Sequence, residues 1–382
     1  MKILKTTLYI LSCIQLIIFF FFFFFFITIK KSLKQVNFIF GVTEIADNLN
    51  NLSLTFKNSL SVCFHRNNRY KSDNYDYYIS KKNRFIKYAV IFFYGPFLLG
   101  LLMNKSLNFF YIWDKGFLLD RRVEFYILKQ FKRKIILMYC GSEIRSPLLS
   151  INYTNSIGVD NFNNYLENNH FQDIKVKEEA RLADKYADLI FSQKVDQISY
   201  LKKEVYDFPY MFSYSNFSFN IEKFDFKTPI VLVHAPSSPI IKGTQLVRAA
   251  IKKLKLLGYE FEYIELINKS NKEVKNVLKR SHIVLNQFYG YGDGIGLLGV
   301  EAMANMNCLM MSVADNKSNT YNQSFHEVLC NTNYWNIDEK LKFLLDNPSE
   351  IKRIAVAGHK FALKNLTHEA AKKYFDEFLT NL

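Results

Sequence analysis

Short apolar runs alternate with helical stretches along this chain from Val36 onward. This alternation is typical of α/β folds, in which helices cover a parallel sheet. A chain of 382 residues is long enough for two such domains. The sequence therefore predicts an α/β protein with two Rossmann-like domains. Its clearest strand-like runs are residues 36–41, 60–65, 107–113, 134–141, 229–238 and 282–288.

The same pattern divides the chain into segments, because a stretch with many aromatic residues and no clear period separates two α/β units. Polar or charged loops follow the strands, at the strand ends where open α/β sheets bind their ligands. The predicted segments are an N-terminal membrane anchor (1–34), an N-terminal Rossmann-like domain (35–215), a linker (216–228), a C-terminal Rossmann-like domain (229–365) and a C-terminal helix (366–382).

The N-terminus is apolar without interruption: no charged residue lies between Lys5 and Lys30, and eight consecutive phenylalanines run from Phe19 to Phe26. About 20 apolar residues suffice to cross a bilayer. A cleaved signal peptide usually has a shorter apolar core and a small-residue cleavage site. We therefore predict an uncleaved, single-pass anchor, and a low-complexity gene start without a membrane role is the alternative. More lysines follow the stretch than precede it, which favours a cytoplasmic location of the domains.

A second apolar segment is the uncharged stretch between Lys87 and Lys105. It is either another membrane contact or a buried helix interrupted near Pro96. The buried helix is favoured, because a true span would place the first strand and the later strands on opposite sides of the membrane. A half-embedded helix stays open, since basic residues just before the segment suit anionic head groups.

Composition narrows the range of partners. Lys and Arg outnumber Asp and Glu by 50 to 35, for a net charge of +15, which favours anionic partners. Nucleic acid is a poor candidate, because the lysines are spread along the chain without a basic and aromatic module. The five cysteines form no C-x-x-C pair and the seven histidines show no ligand spacing, so no metal site is predicted.

The stretch "YGYGDGIGLLGVEAMA" (289–304) carries the strongest motif. Gly294, Gly296 and Gly299 spell G-x-G-x-x-G after a strand-like run, and Asp315 follows Gly294 by 21 residues. This is the fingerprint of a dinucleotide site. In a dinucleotide domain, however, the fingerprint sits in the first βα turn, and here it follows the third strand of its half. An NAD(P)-dependent oxidoreductase is therefore kept as an alternative.

Three segments resemble the GT-B glycosyltransferases, in particular glycosyltransferase family 4 and its group-1 domain: 234–254, 281–311 and 347–379. Fainter similarity is found in "GVTEIADNLNNLS" (41–53) and "CGSEIR" (140–145). The resemblance covers about residues 36–382. It implies two Rossmann-like domains that face each other across a cleft, with the acceptor on the N-terminal side and a nucleotide sugar bound by the C-terminal domain.

The family's E-x7-E signature maps onto Asp293 and Glu301, with a shorter carboxylate at the first position. In the family the first acid contacts hydroxyls of the donor sugar, and the second holds the ribose of the nucleotide. A carboxylate suits both tasks, because it accepts two hydroxyl hydrogen bonds at once. The alternative for Glu301 is a first-turn glutamate that serves the helix dipole.

Lys242 is similar to the family's diphosphate lysine, which places a positive charge on the leaving group where D-x-D enzymes use a metal. Glycines allow the backbone amides of Gly294, Ile295 and Gly296 to approach the donor, and the helix that begins near Gly296 directs its positive end at the diphosphate. An ordinary surface lysine before a helix start is the alternative for Lys242.

One departure from the family pattern concerns the arginine that often lies five residues before this lysine, because Ser237 stands there. The hydroxyls of Ser237 and Ser238 can bond phosphate but carry no charge. Arg145 is a candidate for the missing cation, with a surface ion pair to Glu143 as the alternative. Asp114 is predicted to be an acid that faces the acceptor, with a cap or turn role as its alternative.

The sequence therefore predicts a glycosyltransferase that moves a sugar from a nucleotide-diphosphate-sugar donor to a glycan or lipid-linked acceptor. Asp293, Lys242 and Asp114 are the predicted catalytic residues. The resemblance implies retention of anomeric configuration and no metal or cofactor besides the donor. The predicted partners include a membrane but no nucleic acid. Apart from an oxidoreductase, the alternative is a non-catalytic, membrane-anchored scaffold with a degenerate transferase fold.

Overall fold

The computed structural model describes residues 2–66, 74–79, 83–156, 170–192, 198–289, 294–313, 325–380 and 382. Two separate parallel sheets organise the described chain. Each sheet is buried between helices, as expected for strands made of continuous apolar runs.

The first sheet contains six parallel strands in the order β3-β2-β1-β4-β5-β6. Its strands are β1 (Phe38–Glu44), β2 (Ser59–Arg66), β3 (Tyr77–Tyr78), β4 (Asn108–Ile112), β5 (Lys134–Met138) and β6 (Leu189–Phe191). The helices described before the second sheet are α1 (Lys2–Thr28), α2 (Asn48–Thr55), α3 (Arg84–Met103), α4 (Arg121–Gln130), α5 (Pro147–Ser156) and α6 (His170–Tyr186).

Alternation along the strands sends side chains to two apolar layers, one on each face of the first sheet. Phe109 and Tyr111 of β4 enter the layer that also contains Phe19 of α1 and Leu98 of α3. Phe110, their neighbour on the strand, enters the opposite layer, which also contains residues of α2 and of the C-terminal helix. The sheet is therefore covered on both faces.

The second sheet contains five parallel strands in the order β11-β10-β9-β7-β8. Its strands are β7 (Val231–His234), β8 (Glu262–Glu265), β9 (Ile283–Leu285), β10 (Cys308–Met311) and β11 (Cys330–Asn331). The helices in this part are α7 (Thr244–Leu256), α8 (Asn271–Leu278), α9 (Gly296–Ala304), α10 (Phe325–Val328), α11 (Ile337–Asp346) and α12 (Pro348–Asn365), followed by α13 (His368–Leu379).

The last helix, α13, returns to the first sheet. The ring of Phe375 lies 5.8 Å from Phe56 and Phe110 and 5.0 Å from Phe191, measured between ring centroids. The Thr55 hydroxyl is also 2.8 Å from His368 Nδ1. The C-terminal helix thus ties the end of the chain to the N-terminal sheet.

Both strand orders are those of Rossmann-like sheets, in which the connections reverse direction at a switch point. The switch points lie between β1 and β4 in the first sheet and between β7 and β9 in the second. Ligands of open α/β sheets bind at such points, outside the carboxyl ends of the strands. The predicted α/β architecture with two Rossmann-like domains is confirmed. A ligand site is expected in the loops after these four strands.

The prediction that the helix of the second apolar segment breaks near Pro96 is wrong, because α3 continues through this residue. Proline has no N–H, so the carbonyl four residues earlier loses its intrahelical partner. That carbonyl belongs to Phe92, and it accepts a hydrogen bond from Gln15 Nε2 of α1 at 2.9 Å. The donor from α1 replaces the bond that Pro96 removes.

Two helices in the described part of the chain are long and apolar enough to cross a membrane by length and composition, Ile10–Thr28 and Phe85–Met103. The first was predicted to be a single-pass anchor. In the structure it packs along α3, and its residues Phe19 and Phe23 are buried in the core of the first sheet.

Candidate functional site

The carboxyl edge of the second sheet places Lys242 and the glycine-rich loop side by side. Lys242 lies in the loop after β7, and Gln287 lies just after the neighbouring strand β9. Lys242 Nζ donates to Gln287 Oε1 at 2.5 Å, and Gln287 Nε2 donates to the carbonyl of Gly294 at 3.2 Å. One amide side chain therefore connects the predicted diphosphate lysine to the predicted diphosphate loop across the switch point.

A buried histidine supports the base of this loop. His234, the last residue of β7, donates from Nδ1 to the carbonyl of Leu285 at 2.7 Å, and its Nε2 lies 2.9 Å from the Thr244 hydroxyl. Burial lowers the pKa of His234, and the charge of Lys242 contributes to this shift. The ring is therefore neutral near pH 7, and it holds the start of α7 against β9 without adding a second positive charge.

The glycine-rich loop ends in a left-handed residue at the start of α9. Gly296 has φ +65°, a conformation that favours glycine, and its N–H donates to the Tyr210 hydroxyl at 2.8 Å. Asn286 Nδ2 donates to the carbonyl of Ile295 at 2.8 Å. The first amide of α9 is thus bonded to a tyrosine from the segment that joins the two sheets.

Glu301 lies in the second turn of α9 and is only 4% exposed. The proposed alternative of a first-turn glutamate serving the helix dipole is therefore wrong, because the dipole acts mainly at the first turn. Its Oε1 accepts from Asn271 Nδ2 at 2.7 Å and lies 4.0 Å from Lys275 Nζ. Burial raises the pKa of Glu301, while the Asn271 hydrogen bond and the Lys275 charge oppose that rise.

Lys275 lies on α8 and acts on a carboxyl group in the first half of the chain. Its charge acts on Asp47, which follows β1 of the first sheet: burial raises the pKa of Asp47, and the Asn50 hydrogen bond and Lys275 oppose the rise. The Lys275 ammonium also lies 5.7 Å from the centre of the Phe212 ring. A cation of helix α8 therefore acts on a carboxyl group in the loop that follows β1.

The edge of the first sheet carries buried carboxyl groups. Glu44, at the end of β1, accepts from the Tyr75 hydroxyl at 2.8 Å and from the Asn50 amide at 3.0 Å. Burial raises the pKa of Glu44 to about 7. Backbone strain accompanies this loop, because Ala46 and Asp47 both have positive φ.

Glu143 is a second buried acid at this edge, and it follows β5. It is 4% exposed and accepts from the backbone amides of Cys140 and Gly141, so its carboxyl lies below the surface, and the ion pair with Arg145 stays a prediction. Burial raises the pKa of Glu143 to about 8, and the charge of Asp114 adds to the rise. Its Oε2 is buried and has no hydrogen-bond partner among the residues that the structure describes.

Asp114 follows β4, next to Trp113, which has a φ of +70°. Asp114 pairs with Lys115 at 3.3 Å, and its Oδ1 is buried without a hydrogen-bond partner in the described part of the chain. The cap of the following helix α4 is Asp120, so the helix-cap role considered for Asp114 is wrong. Asp114 and Glu143 thus share the carboxyl edge of the first sheet.

The remaining predicted residues lie in loops that follow strands of both sheets. Arg145 is half-buried in the loop after β5, Ser237 is exposed in the loop after β7, and the Ser238 carbonyl accepts from the Lys242 amide at 3.0 Å. Asp293 lies outside the described residues, as does Asp315. Within the described ranges, no group of three His, Cys, Asp or Glu side chains could hold a metal ion.

The sequence pattern missed four residues that build this site: Tyr210, Asn271, Lys275 and Gln287. Only Gln287 had a local signal, as a polar side chain at the end of an apolar strand. The other three reach the site through contacts between segments that are far apart in the chain.

Comparisons with known proteins agree with this architecture at the level of structure. No protein-family model matches the chain, and no curated protein matches its sequence. Sucrose-phosphate synthase from Thermosynechococcus elongatus is 10% identical, with a TM-score of 0.56 over 91% of this chain and 99% of that one. HepE from Anabaena, in complex with UDP and glucose, is 10% identical, with a TM-score of 0.53 over 91% and 100%.

An alpha-glucosyltransferase in complex with UDP-glucose and DNA containing an abasic site is also 10% identical, with a TM-score of 0.54 over 91% of this chain and 100% of that one. Similarity at such low identity establishes the fold, and the assignment to glycosyltransferase family 4 stays a prediction. With its two parallel sheets and this similarity over about nine-tenths of its length, the chain has the GT-B glycosyltransferase fold.

Proposed function

We propose that this protein is a glycosyltransferase that moves a sugar from a nucleotide-diphosphate-sugar donor to an acceptor at the carboxyl edge of the first sheet. The observation that carries the proposal is the connection from Lys242 through Gln287 to Gly294, in the loop that leads into the helix of buried Glu301. A cation and a glycine-rich helix start suit a diphosphate, and a carboxylate suits the ribose diol.

The donor proposed for the first tests is UDP-glucose. HepE was crystallised with UDP-glucose, and so was the alpha-glucosyltransferase of similar fold. In our proposal Glu301 holds the ribose and Asp293 contacts the sugar hydroxyls. The backbone of Gly294, Ile295 and Gly296 faces the diphosphate. Arg145 supplies a second cation to the proposed donor site. Ser237 and Ser238 supply hydroxyl groups.

The proposed reaction breaks the bond between the anomeric carbon and the diphosphate oxygen. A bond from the anomeric carbon to the acceptor oxygen forms, and the products are the glycoside, the nucleoside diphosphate and the proton of the acceptor hydroxyl. Lys242 stabilises the negative charge that develops on the leaving diphosphate, a role that needs no metal. We propose that the anomeric configuration is retained and that no cofactor besides the donor takes part.

On the acceptor side we propose that Asp114 faces the acceptor hydroxyl. Its Oδ1 and Glu143 Oε2 are buried and have no hydrogen-bond partner among the described residues, which supports this assignment, because a bound hydroxyl would satisfy them. The acceptor is proposed to be a glycan or a lipid-linked precursor of a surface glycan or glycolipid. The apolar helix α1 supports this choice, since it suits attachment of the enzyme to a membrane.

The proposal is tested with the purified full-length protein by thermal shift and by release of the nucleoside diphosphate. UDP-, GDP- and ADP-sugars and NAD(P) form the ligand panel. We expect a sugar nucleotide to stabilise the protein, and Lys242→Ala to lower turnover by about a hundredfold or more, the usual effect of removing one group that stabilises the transition state. Lys252→Ala, an exposed lysine on α7, is the matched control.

Each other result has a distinct meaning. Stabilisation by NAD(P) but by no sugar nucleotide would replace this proposal with an oxidoreductase. Binding of no nucleotide at all would favour the non-catalytic scaffold. Anomeric analysis of the product by NMR tests retention, and an inverted product would reject that part of the proposal.

A further inference from the structure

Helix α3 cannot cross a bilayer by itself, because it is a crossover helix of the first sheet. It connects β3 to β4, and both strands belong to the same parallel sheet. Its residues Leu98, Leu99 and Leu102 are fully buried in the core of that sheet. An apolar helix fixed in this way can enter a membrane only with its outer side.

Helix α1 lies along α3 and is bonded to the same domain. Gln15 Nε2 donates to the carbonyl of Phe92 at 2.9 Å, and Gln15 Oε1 accepts from the Leu119 amide at 2.8 Å. Near the other end of α1, Asn104 Nδ2 donates to the carbonyl of Phe23 at 3.2 Å. These bonds hold the C-terminal half of α1 against the domain, whereas a helix that crosses a bilayer alone would leave the domain.

The packing between the two helices is close enough to require a glycine. A Cβ added to Gly100 of α3 would lie 2.9 Å from the backbone nitrogen of Phe23, which is closer than real Cβ contacts. Phe19 and Phe23 are 0% and 2% exposed in the same contact. The contact between α1 and α3 is therefore as tight as a protein core.

The outer side of the pair is apolar and exposed, and we call it the α1–α3 face. On α1, Ile17 and Phe21 are 71% and 68% exposed, and on α3, Phe93 is 60% exposed. Between the helices runs an apolar groove of about 770 Å³, lined by residues such as Ile18, Phe22, Val90 and Phe97. Large apolar surfaces of this kind normally contact a membrane or another protein.

Charge favours a membrane as the occupant of the α1–α3 face. No Asp or Glu occurs in residues 1–43 or 77–113, which include both helices. Lysines surround the apolar centre: Lys30, Lys31 and Lys34 are exposed after α1, and Lys87 and Lys105 are half-exposed on or next to α3. An apolar face with basic residues at its border is the composition that binds the interface of an anionic bilayer.

We propose that the α1–α3 face is inserted into one leaflet of an anionic membrane, with α1 in the plane of the interface, so that the protein is monotopic. This inference rests on the membrane attachment proposed above and specifies how the protein is attached. It also places the acceptor edge near the lipid: Tyr88 of α3 packs against His65 at the carboxyl end of β2, with ring centroids 6.4 Å apart. The acceptor class that this arrangement favours is a lipid whose head group carries the accepting hydroxyl.

Vesicle flotation of the full-length protein tests the face. We expect flotation with phosphatidylcholine vesicles that contain phosphatidylglycerol, and a loss of roughly tenfold in bound fraction for Phe21→Gln/Phe93→Gln. Phe343→Gln is the matched control, because this phenylalanine of α11 is 51% exposed in the other domain. If the double variant does not fold, Lys30→Glu/Lys31→Glu should still reduce binding to the anionic vesicles. Unchanged binding by a folded variant of either pair would overturn the proposal.

A protease test separates the monotopic arrangement from a span. An N-terminal epitope tag and the C-terminal domain should be digested from the same side of sealed vesicles. Protection of the tag when the domain is digested would show that α1 crosses the membrane and would overturn the proposal. If Phe21→Gln/Phe93→Gln lost self-association without any change in vesicle binding, a second copy of the chain would be the occupant of the α1–α3 face. That result would also overturn the proposal. Thermal shift with UDP-glucose measures donor binding in each variant. A variant that binds vesicles normally but not UDP-glucose would count against the proposed transferase function and not against the α1–α3 face.

Discussion

Lys275 Nζ of α8 lies 4.0 Å from the Oε1 atom of the buried Glu301 carboxyl of α9. The same ammonium opposes the rise in the pKa of Asp47 on the other sheet. One lysine thus acts on a carboxyl group of each domain, and its removal has predictable effects on the donor side.

We expect Lys275→Met to weaken UDP-glucose binding by about three- to tenfold, and more strongly as the pH is lowered. Burial already raises the pKa of Glu301, and loss of the neighbouring cation raises it further, so that less carboxylate is present at a given pH. Calorimetric titration over a range of pH values measures the effect. Lys272→Met, an exposed lysine on the same helix, is the control, and equal affinities for the two variants would contradict the prediction.

We expect Gln287→Leu to lower kcat/KM by about tenfold, since the change removes both partly buried hydrogen bonds and the net contribution of one such bond is about 0.5–1.5 kcal/mol. The change removes both the acceptor for Lys242 and the donor to the Gly294 carbonyl. Steady-state kinetics with varied donor give the result. Gln245→Leu is the control, because Gln245 is exposed on α7, and a similar loss in that variant would show that the effect is not specific to the site.

We expect Gly296→Ala and Gly258→Ala to destabilise the protein by similar amounts, about 1–2 kcal/mol each. Both glycines have positive φ, +65° and +86°, and a Cβ at either position would meet nothing within 4 Å, so the cost lies in the backbone. Urea unfolding measures it. Only Gly296→Ala should also weaken donor binding, and donor affinity equally reduced in Gly258→Ala would argue against a role for the glycine-rich loop.

We expect the stability of Glu143→Gln to fall less steeply with rising pH than the stability of the parent protein. Burial raises the pKa of Glu143 from 4.5 to about 8, so between these values the folded state binds more protons than the unfolded state. Stability therefore falls as the pH rises through this window, by at most about 1.4 kcal/mol per pH unit for one group. Glu44, with a pKa of about 7, contributes in the same direction and remains in the variant.

Unfolding measured near pH 5 and near pH 8 checks this prediction for Glu143. Glu339→Gln, a change at an exposed glutamate of α11, should leave the slope of the parent protein unchanged. The same slope in Glu143→Gln as in the parent would mean that Glu143 is ionised throughout the range.

The secondary structure was largely predictable, because the periodicity of apolar residues acts locally. The runs at residues 60–65 and 107–113 became β2 and β4 within one residue at each end. The predicted break of α3 at Pro96 failed for a non-local reason, since the residue that satisfies the freed carbonyl is 77 positions away in the chain. Propensity describes the cost of proline in a helix but does not identify the partner that removes this cost.

Some residues of the candidate site were also predictable from local sequence, and others were not. Lys242 and Glu301 were found from spacing in a motif, because each lies at a fixed distance from a strand or a glycine. Asn271, Lys275 and Tyr210 reach the site only when segments distant in sequence pack together, and no local pattern marks them. The protonation behaviour of Glu44 and Glu143 was also unpredictable, since it arises from burial.

The amino-acid sequence by itself determined the alternation of strands and helices, the two parallel sheets and the apolar character of the N-terminal helix. These follow from the order of apolar and polar residues, which sets the secondary structure and the faces that must be buried. The tertiary structure decided that α1 lies along α3, that Gln287 joins Lys242 to Gly294, and that Lys275 lies between carboxyl groups of both domains. These are contacts across long sequence distances, where packing and burial determine geometry and charge.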